Sequence, residues 1–461
     1  MSKPNLLILL ADQLRHDCVG YRGLRNIKTP NIDALASESA VFNRAFTPLP
    51  VCAPVRQSLI NGLHPDSFGA QWNYDFFMTP TPKPTGETWP EQLHNQGYRG
   101  GYIGKWHVSP DFGPRDFGFT DIIDMAEYKK FQREKYPDAK FDGGWLGCTS
   151  PIPLEDSLTH RMAARAGDLL REYAESGQPW HMWVDLGVPH LPCQPSEPFA
   201  SMYDPASIEP WDGFGDEFNF KPYCQRQQML NWRQESMTWA DYQPMVARYF
   251  GVISQLDDAF GRIIRVLKET GQYDNTIIVF SSDHGDMCGS HQMLDKHYVL
   301  FEDNTRIPLC IKSPGNPHYV TDSFVSGCLD ITHTIFELMG LKKPEVLHGR
   351  PLPLRAEDDK NPREFITSSS NGQQFGLYTN RMIRGDRYKY VWNLTDIDEF
   401  YDLEADPGEK VNLICEEAYA DTIARMRRAL YAELSAHGDP FATRDWVTAQ
   451  LLENRKHTQR A

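Results

Sequence analysis

The run Thr276-Ile277-Ile278-Val279-Phe280 constrains the fold of this chain more than any other segment, because it is short, apolar from Ile277 to Phe280 and bounded by polar residues. Such a run offers no solvent face, so it reads as a central strand of a sheet covered on both sides. A helical pattern over 252–270 leads into it and closes at Gly271. The same pairing recurs along the chain. Residues 5–11 read as a buried strand, 29–39 as a helix opened by Thr29-Pro30, and 98–103 as another strand. A helix over 161–174 precedes a strand over 181–187, and 329–339 is a further helix. This alternation predicts an α/β fold: a large mixed, mostly parallel sheet sandwiched by helices.

The chain has 461 residues, and single cores stop growing near ~250–300 residues. A large domain over 1–355 and a smaller C-terminal subdomain over 356–461 are therefore expected. Past residue 355 the pattern changes: 387–392 alternates like an antiparallel strand, 399–403 can pair with it, and 418–437 reads as a helix. Residues 195–245 are rich in Pro, Trp, Tyr and Gln with weak periodicity, and read as an elaborated loop region.

Lys and Arg number 47 against 62 Asp and Glu, a net charge of −15, which excludes nucleic acid and anionic membrane as main partners. A small anionic substrate remains compatible with a locally cationic pocket. The nine cysteines form no CxxC pair, so neither a disulfide scaffold nor a zinc knuckle is expected, and a reducing compartment suits them. The apolar run 6–11 stops at Asp12, too soon for a secretory segment, and no segment approaches the ~20 apolar residues of a membrane span. The expectation is a soluble, cytoplasmic protein.

Six segments can carry chemistry. Cys52 lies among Pro48, Pro50 and Pro54 and opens a helix with Arg56 one turn on; a lone cysteine is usually a small buried hydrophobe, but a helix start beside an arginine favours an anionic group. Asp12 ends the first strand with Gln13 beside it, where open α/β sheets build ligand sites, although a turn aspartate would look the same. Asp283-His284-Gly285 follows the strand 276–280 and suits mixed O/N metal ligation, or a polar turn. In Gly104-Lys105-Trp106-His107 the i and i+2 side chains of an extended segment can face one pocket. His190 is held between Pro189 and Pro192, and Lys296, taken alone, reads as a surface lysine.

Together the segments resemble the sulfatase branch of the alkaline-phosphatase-like superfamily. The resemblance lies in Cys52-Ala53-Pro54-Val55-Arg56, the Gly104–His107 box, the turn at His190, and Ser282-Asp283-His284-Gly285 with Lys296 thirteen residues after Asp283. It extends to Thr29–Ala36, to Asp330–Ile335 with His348–Leu352 after it, and to Tyr401–Glu409, all in the family's order. The resemblance implies a sulfuric ester hydrolase in which Cys52 is oxidised to formylglycine by a formylglycine-generating enzyme that recognises Pro54 and Arg56. One hydroxyl of the formylglycine hydrate, activated by a divalent metal, would attack sulfur; the other would expel sulfate from the covalent sulfo-enzyme. It further implies Asp12, Gln13, Cys52, Asp283 and His284 around the metal, and Arg56 and His107 stabilising the hydrate. Lys105 and Lys296 would bind sulfate oxygens, and His190 or Lys296 would protonate the leaving oxygen.

Many relatives carry Asp where this chain has Gln13 and Asn where it has His284. Ca²⁺ is the family's commonest ion; one carboxylate fewer and an imidazole bring Mn²⁺ forward, with Mg²⁺ as a further alternative. Gln71, Trp72 and Asn73 are expected on the pocket rim, where Trp72 could stack on a sugar. A carbohydrate sulfate is favoured over an aryl or choline sulfate, and the resemblance allows a homo-oligomer. Two rivals stand: a phosphonate monoester hydrolase or phosphodiesterase of the same superfamily, disfavoured by the Gly104–His107 box, and a non-catalytic binder of sulfated glycans, disfavoured by the intact motifs.

Overall fold

The structure, a computed structural model, describes residues 3–74, 82–296, 298–372 and 377–454. In its first part, β1 (Asn5–Asp12) is followed by α1 (Pro30–Ala36), β2 (Ala40–Phe46), α2 (Cys52–Asn61), α3 (Trp89–Asn95), β3 (Arg99–Gly104), β4 (Asp121–Asp124) and α4 (Met125–Lys135). The middle holds α5 (Leu158–Ser176), β5 (Trp180–Pro189), α6 (Tyr223–Asn231), α7 (Trp239–Glu269) and β6 (Thr276–Ser282). There follow α8 (Glu302–Thr305), β7 (Arg306–Ile307), β8 (Leu309–Lys312), β9 (Tyr319–Ser326) and α9 (Gly327–Leu338). The chain closes with β10 (Ile366–Ser370), β11 (Asn380–Arg384), β12 (Tyr388–Asn393), β13 (Glu399–Asp402), α10 (Ala420–Ala436) and α11 (Asp445–Leu452).

The large sheet runs β4-β3-β5-β1-β6-β8-β2-β7, with β9 added beside β2. Its centre is parallel: β1 pairs with both β5 and β6, and β3 with both β4 and β5. β8 runs antiparallel to β6, which makes the sheet mixed. Alternate residues of the central strands enter two different cores. Leu7 and Leu9 of β1 and Ile278 and Phe280 of β6 pack with α1, α5 and α7, whereas Leu6, Ile8, Ile277 and Val279 pack on the opposite face with α2 and α9. A strand buried on both faces needs apolar residues at every position, which is why its sequence shows no alternation. The α/β expectation is borne out, including the small antiparallel sheet, ordered β10-β11-β12-β13, near the C-terminus. Tyr388 of β12 lies opposite Asp402 of β13, the pairing expected from the alternating pattern.

The reading of 195–245 as loop needs correction. α6 lies inside it, and α7 begins at Trp239, well before the expected start at 252. Thr238 and Asp241 form a capping box that opens α7 there, and Pro244 sits inside the helix. A proline beyond the first turn reads locally as a break, yet the tertiary packing of α7 on β5 and α5 carries the helix through it. Among the described residues no helix is long and apolar enough to cross a membrane.

Candidate active site

Four strand ends and one helix start meet at the carboxyl edge of the parallel strands, where open α/β sheets place ligands. β1 ends in Asp12, β3 runs into Lys105, β5 carries Asp185 and leads to His190, and β6 is followed directly by Asp283 and His284. Cys52 is the first residue of α2. Asp12, Asp283 and His284 are fully buried, and Cys52 is 1% exposed.

The Cys52 Sγ lies 3.1 Å from His284 Nε2 and 3.7 Å from Asp12 Oδ1. One ligating atom from each of Asp12, Cys52, Asp283 and His284 falls within 4.8 Å of the others. His284 Nδ1 lies 2.8 Å from the Gly285 carbonyl oxygen. That contact puts a proton on Nδ1 and turns Nε2 toward Cys52, the second-sphere arrangement of a metal-binding imidazole. The donor set of two carboxylates, an imidazole nitrogen and the atom on Cys52 fits a divalent ion.

Arg56, one turn along α2, is buried among three carboxylates. Its Nη1 donates to the Asp185 carboxylate, and its Nη2 lies 3.0 Å from Asp283 Oδ2 and 3.3 Å from Asp12 Oδ2. Burial works against the guanidinium charge, but Asp185, Asp283 and Asp12 outweigh it and hold its pKa up. For Asp185 burial wins over Arg56, and with Asp12 and Asp283 nearby its carboxyl stands above the usual range.

Lys105 Nζ donates to Asp12 Oδ2, and His107 helps to lower the pKa of the Cys52 thiol. Gly104 makes this placement feasible: its φ is +100°, and a Cβ there would stand 1.7 Å from the Asp185 carbonyl oxygen. Lys296 is buried, unlike the surface lysine its isolated reading suggested, and its Nζ lies 2.8 Å from His190 Nε2 and 3.1 Å from Gln13 Oε1. His190 Nδ1 lies 2.7 Å from the Leu191 carbonyl oxygen, so Nε2 is the acceptor toward Lys296. Burial would raise the Cys52 thiol, but Lys105, Lys296 and His284 outweigh it and pull its pKa well down. The pocket around this position is therefore built to stabilise negative charge.

Gln13 adopts φ +72°, held there by its N–H on Asp283 Oδ1 (3.0 Å) and its Nε2 on Asp286 Oδ2 (2.8 Å). Its amide oxygen accepts from Lys296. Two of the three expected rim residues are placed differently. Trp72 is buried, its indole N–H donating to the Asn371 carbonyl at 2.6 Å, and Asn73 Oδ1 accepts the Ala53 N–H at 3.0 Å. Trp72 thus faces the C-terminal sheet, and Asn73 caps the helix that presents Cys52; Gln71 alone is half-exposed. Asp185 and Asp286 escaped the sequence reading. The available signal for Asp185 was a lone carboxylate inside the apolar strand Trp180–Pro189.

The chain matches the family described as Sulfatase over residues 4–341, and the one described as N-sulphoglucosamine sulphohydrolase, C-terminal, over residues 289–436. It is similar to an uncharacterized sulfatase, YidJ, of Escherichia coli, with 30% identity covering 97% of this chain and 90% of that protein. It is 26% identical to a Delta 4,5-hexuronate-2-O-sulfatase of Bacteroides thetaiotaomicron, covering 95% of this chain and 92% of that one. Its fold is shared with the crystal structure of a phosphonate monoester hydrolase of Agrobacterium radiobacter, with a TM-score of 0.81, 24% identity and coverage of 94% and 96%.

Proposed function

The chain belongs to the sulfatase family, the sulfuric ester hydrolases that work with a divalent metal and formylglycine, and from that membership we propose that it cleaves a sulfate ester of a carbohydrate at Cys52. The observation that carries the reading is the convergence of Lys105 and Lys296 on Cys52 inside a donor cluster formed with Asp12, Asp283 and His284. Buried cations clustered around a nucleophile serve a multiply charged transition state and have no role in packing an apolar core. The sulfated uronate substrate in the name of the Bacteroides relative supports the carbohydrate class.

Formylglycine, made from Cys52 by a modifying enzyme, would supply a geminal diol as the nucleophile. Asp12, Asp283 and His284 would hold a divalent metal, which would supply the positive charge that makes such a hydroxyl nucleophilic at neutral pH. Two carboxylates with an imidazole favour Mn²⁺ over the all-oxygen preference of Ca²⁺. The chain's own groups do the rest. Arg56 fixes the orientation of Asp12 and Asp283, and Asn73 and His107 set the position of residue 52. Lys105 and Lys296 bind the sulfate oxygens. The hydrogen-bonded pair of Lys296 and His190 stands ready to give the leaving oxygen its proton.

The test is hydrolysis of a panel of sulfated mono- and disaccharides by the wild type and by Cys52→Ala, with the mass of the peptide carrying residue 52 and the metal content measured in parallel. Wild-type turnover on a sulfated sugar, formylglycine in that peptide and loss of turnover with retained binding in Cys52→Ala are expected. Activity that survives Cys52→Ala would refute the mechanism, and a clear preference for an aryl phosphonate would refute the substrate.

A further inference from the structure

A second cluster of ligating side chains lies where the C-terminal sheet and helix meet the segment that follows α2. His64 and Asp66 come just after α2, and His437 stands at the end of α10. One nitrogen from each imidazole and one oxygen of Asp66 lie within 4.8 Å of one another. All three residues are at least nine-tenths buried, with exposures of 4%, 3% and 9%. The two rings stack with centroids 3.8 Å apart.

The hydrogen bonding of this cluster is incomplete. His64 Nε2, His437 Nε2 and Asp66 Oδ2 are buried and have no hydrogen-bond partner. Buried polar atoms are nearly always hydrogen-bonded, so three orphans gathered in one cluster point to a missing partner. The other carboxylate oxygen, by contrast, is fixed from outside: Asp66 Oδ1 accepts from Asn371 Nδ2 at 3.0 Å and lies 3.5 Å from Arg381 Nη2. Arg381 is itself held by Asp439 at 2.6 Å. The cluster thus sets two buried carboxylates against one guanidinium, with the carboxylate of Asp66 oriented by groups outside the ligating set. That is how second-sphere residues present a metal ligand.

We propose that His64, Asp66 and His437 form a second, structural metal site that takes Zn²⁺. Two imidazoles and a carboxylate make a borderline donor set of the kind zinc accepts, with bonds of ~2.0–2.2 Å that draw the three side chains slightly inward. The site joins α10 to the segment 62–73, which carries the Trp72 anchor and the Asn73 cap of the Cys52 helix. Its role is to tie the C-terminal unit to the nucleophile's support, away from the reacting atoms.

Full-length protein stripped by chelation is titrated with Zn²⁺, and bound metal is counted in the wild type and in His437→Phe, which keeps a ring to stack on His64. The wild type is expected to bind one equivalent more than His437→Phe, and the zinc-loaded wild type to melt higher than the zinc-loaded variant. Equal zinc content in the two proteins overturns the proposal. Should His437→Phe fail to fold, zinc-edge anomalous diffraction from wild-type crystals decides. A peak among His64, Asp66 and His437 supports the site, and a peak confined to Asp12 and Asp283 overturns it.

Discussion

Arg56→Met is the most incisive perturbation of the active-site scaffold, because the guanidinium is the counter-charge of a buried network. It faces Asp12, Asp185 and Asp283, and all four side chains are 0% exposed. Methionine approximates the volume and removes the charge, leaving three carboxylates without it. Breaking a buried ion pair by deleting one partner costs about 3–5 kcal/mol, the loss expected here in urea unfolding of chelated protein. Asp185 makes the prediction sharper. It touches Arg56 but lies outside the metal-donor cluster, so no bound ion replaces its lost partner. Asp185→Asn on the Arg56→Met background should therefore restore part of the loss, with a coupling of about 1–3 kcal/mol in the double-mutant cycle. Saturating Mn²⁺ should recover stability in Arg56→Met through Asp12 and Asp283 while leaving the Asp185 coupling in place. A loss below about 1 kcal/mol, or additivity within about 0.5 kcal/mol, would refute the claim that Arg56 neutralises these carboxylates.

Asn73→Ala orphans the Ala53 N–H at the start of the Cys52 helix and should cost about 1 kcal/mol, with kcat falling more than KM in steady-state assays and Asn73→Asp restoring most of both. His181 is fully buried with neither ring nitrogen hydrogen-bonded, and burial, helped by His94, pushes its pKa to about 3. Below the unfolded value near ~6.5 the unfolded chain takes up a proton that the folded chain refuses, so stability falls as pH drops; two pH units at ~1.4 kcal/mol each give about 3 kcal/mol lost by pH ~4.5. His181→Phe should remove that share of the acid sensitivity, read from urea midpoints across the pH range, and an unchanged pH dependence would refute it. Removal of the divalent ion from Asp12, Asp283 and His284 by chelation should abolish turnover, and Mn²⁺ should restore it more fully than Ca²⁺ in a rate assay.

The parts of this molecule legible in the sequence are those where one segment's own pattern decides the outcome. Residues 6–11 of β1 and 277–280 of β6 are apolar throughout because each strand feeds two cores, so a local pattern carried a global fact about layering. Asp12 and Asp283 were readable for a related reason, since a carboxylate at the end of such a strand marks the edge where ligands collect. What escaped depends on partners distant in the chain. β2 has half-buried polar residues at Asn43 and Arg44 and is defined by pairing with β7, β8 and β9, more than 250 positions later. Trp72 looked like a sugar platform because an aromatic in a loop is equally at home exposed or buried, and only Asn371, 299 positions on, determines which. Asp185 shows the limit most clearly. A charge inside Trp180–Pro189 is anomalous on its face, but its meaning lies in Arg56, 129 positions earlier. Read alone, Asp185 is a defect in a strand; beside Arg56 it balances the arginine that orients the carboxylates of Asp12 and Asp283. The functional content of the site therefore lies in charges that are unfavourable individually and stable only together, and the fold is what brings them within reach of one another.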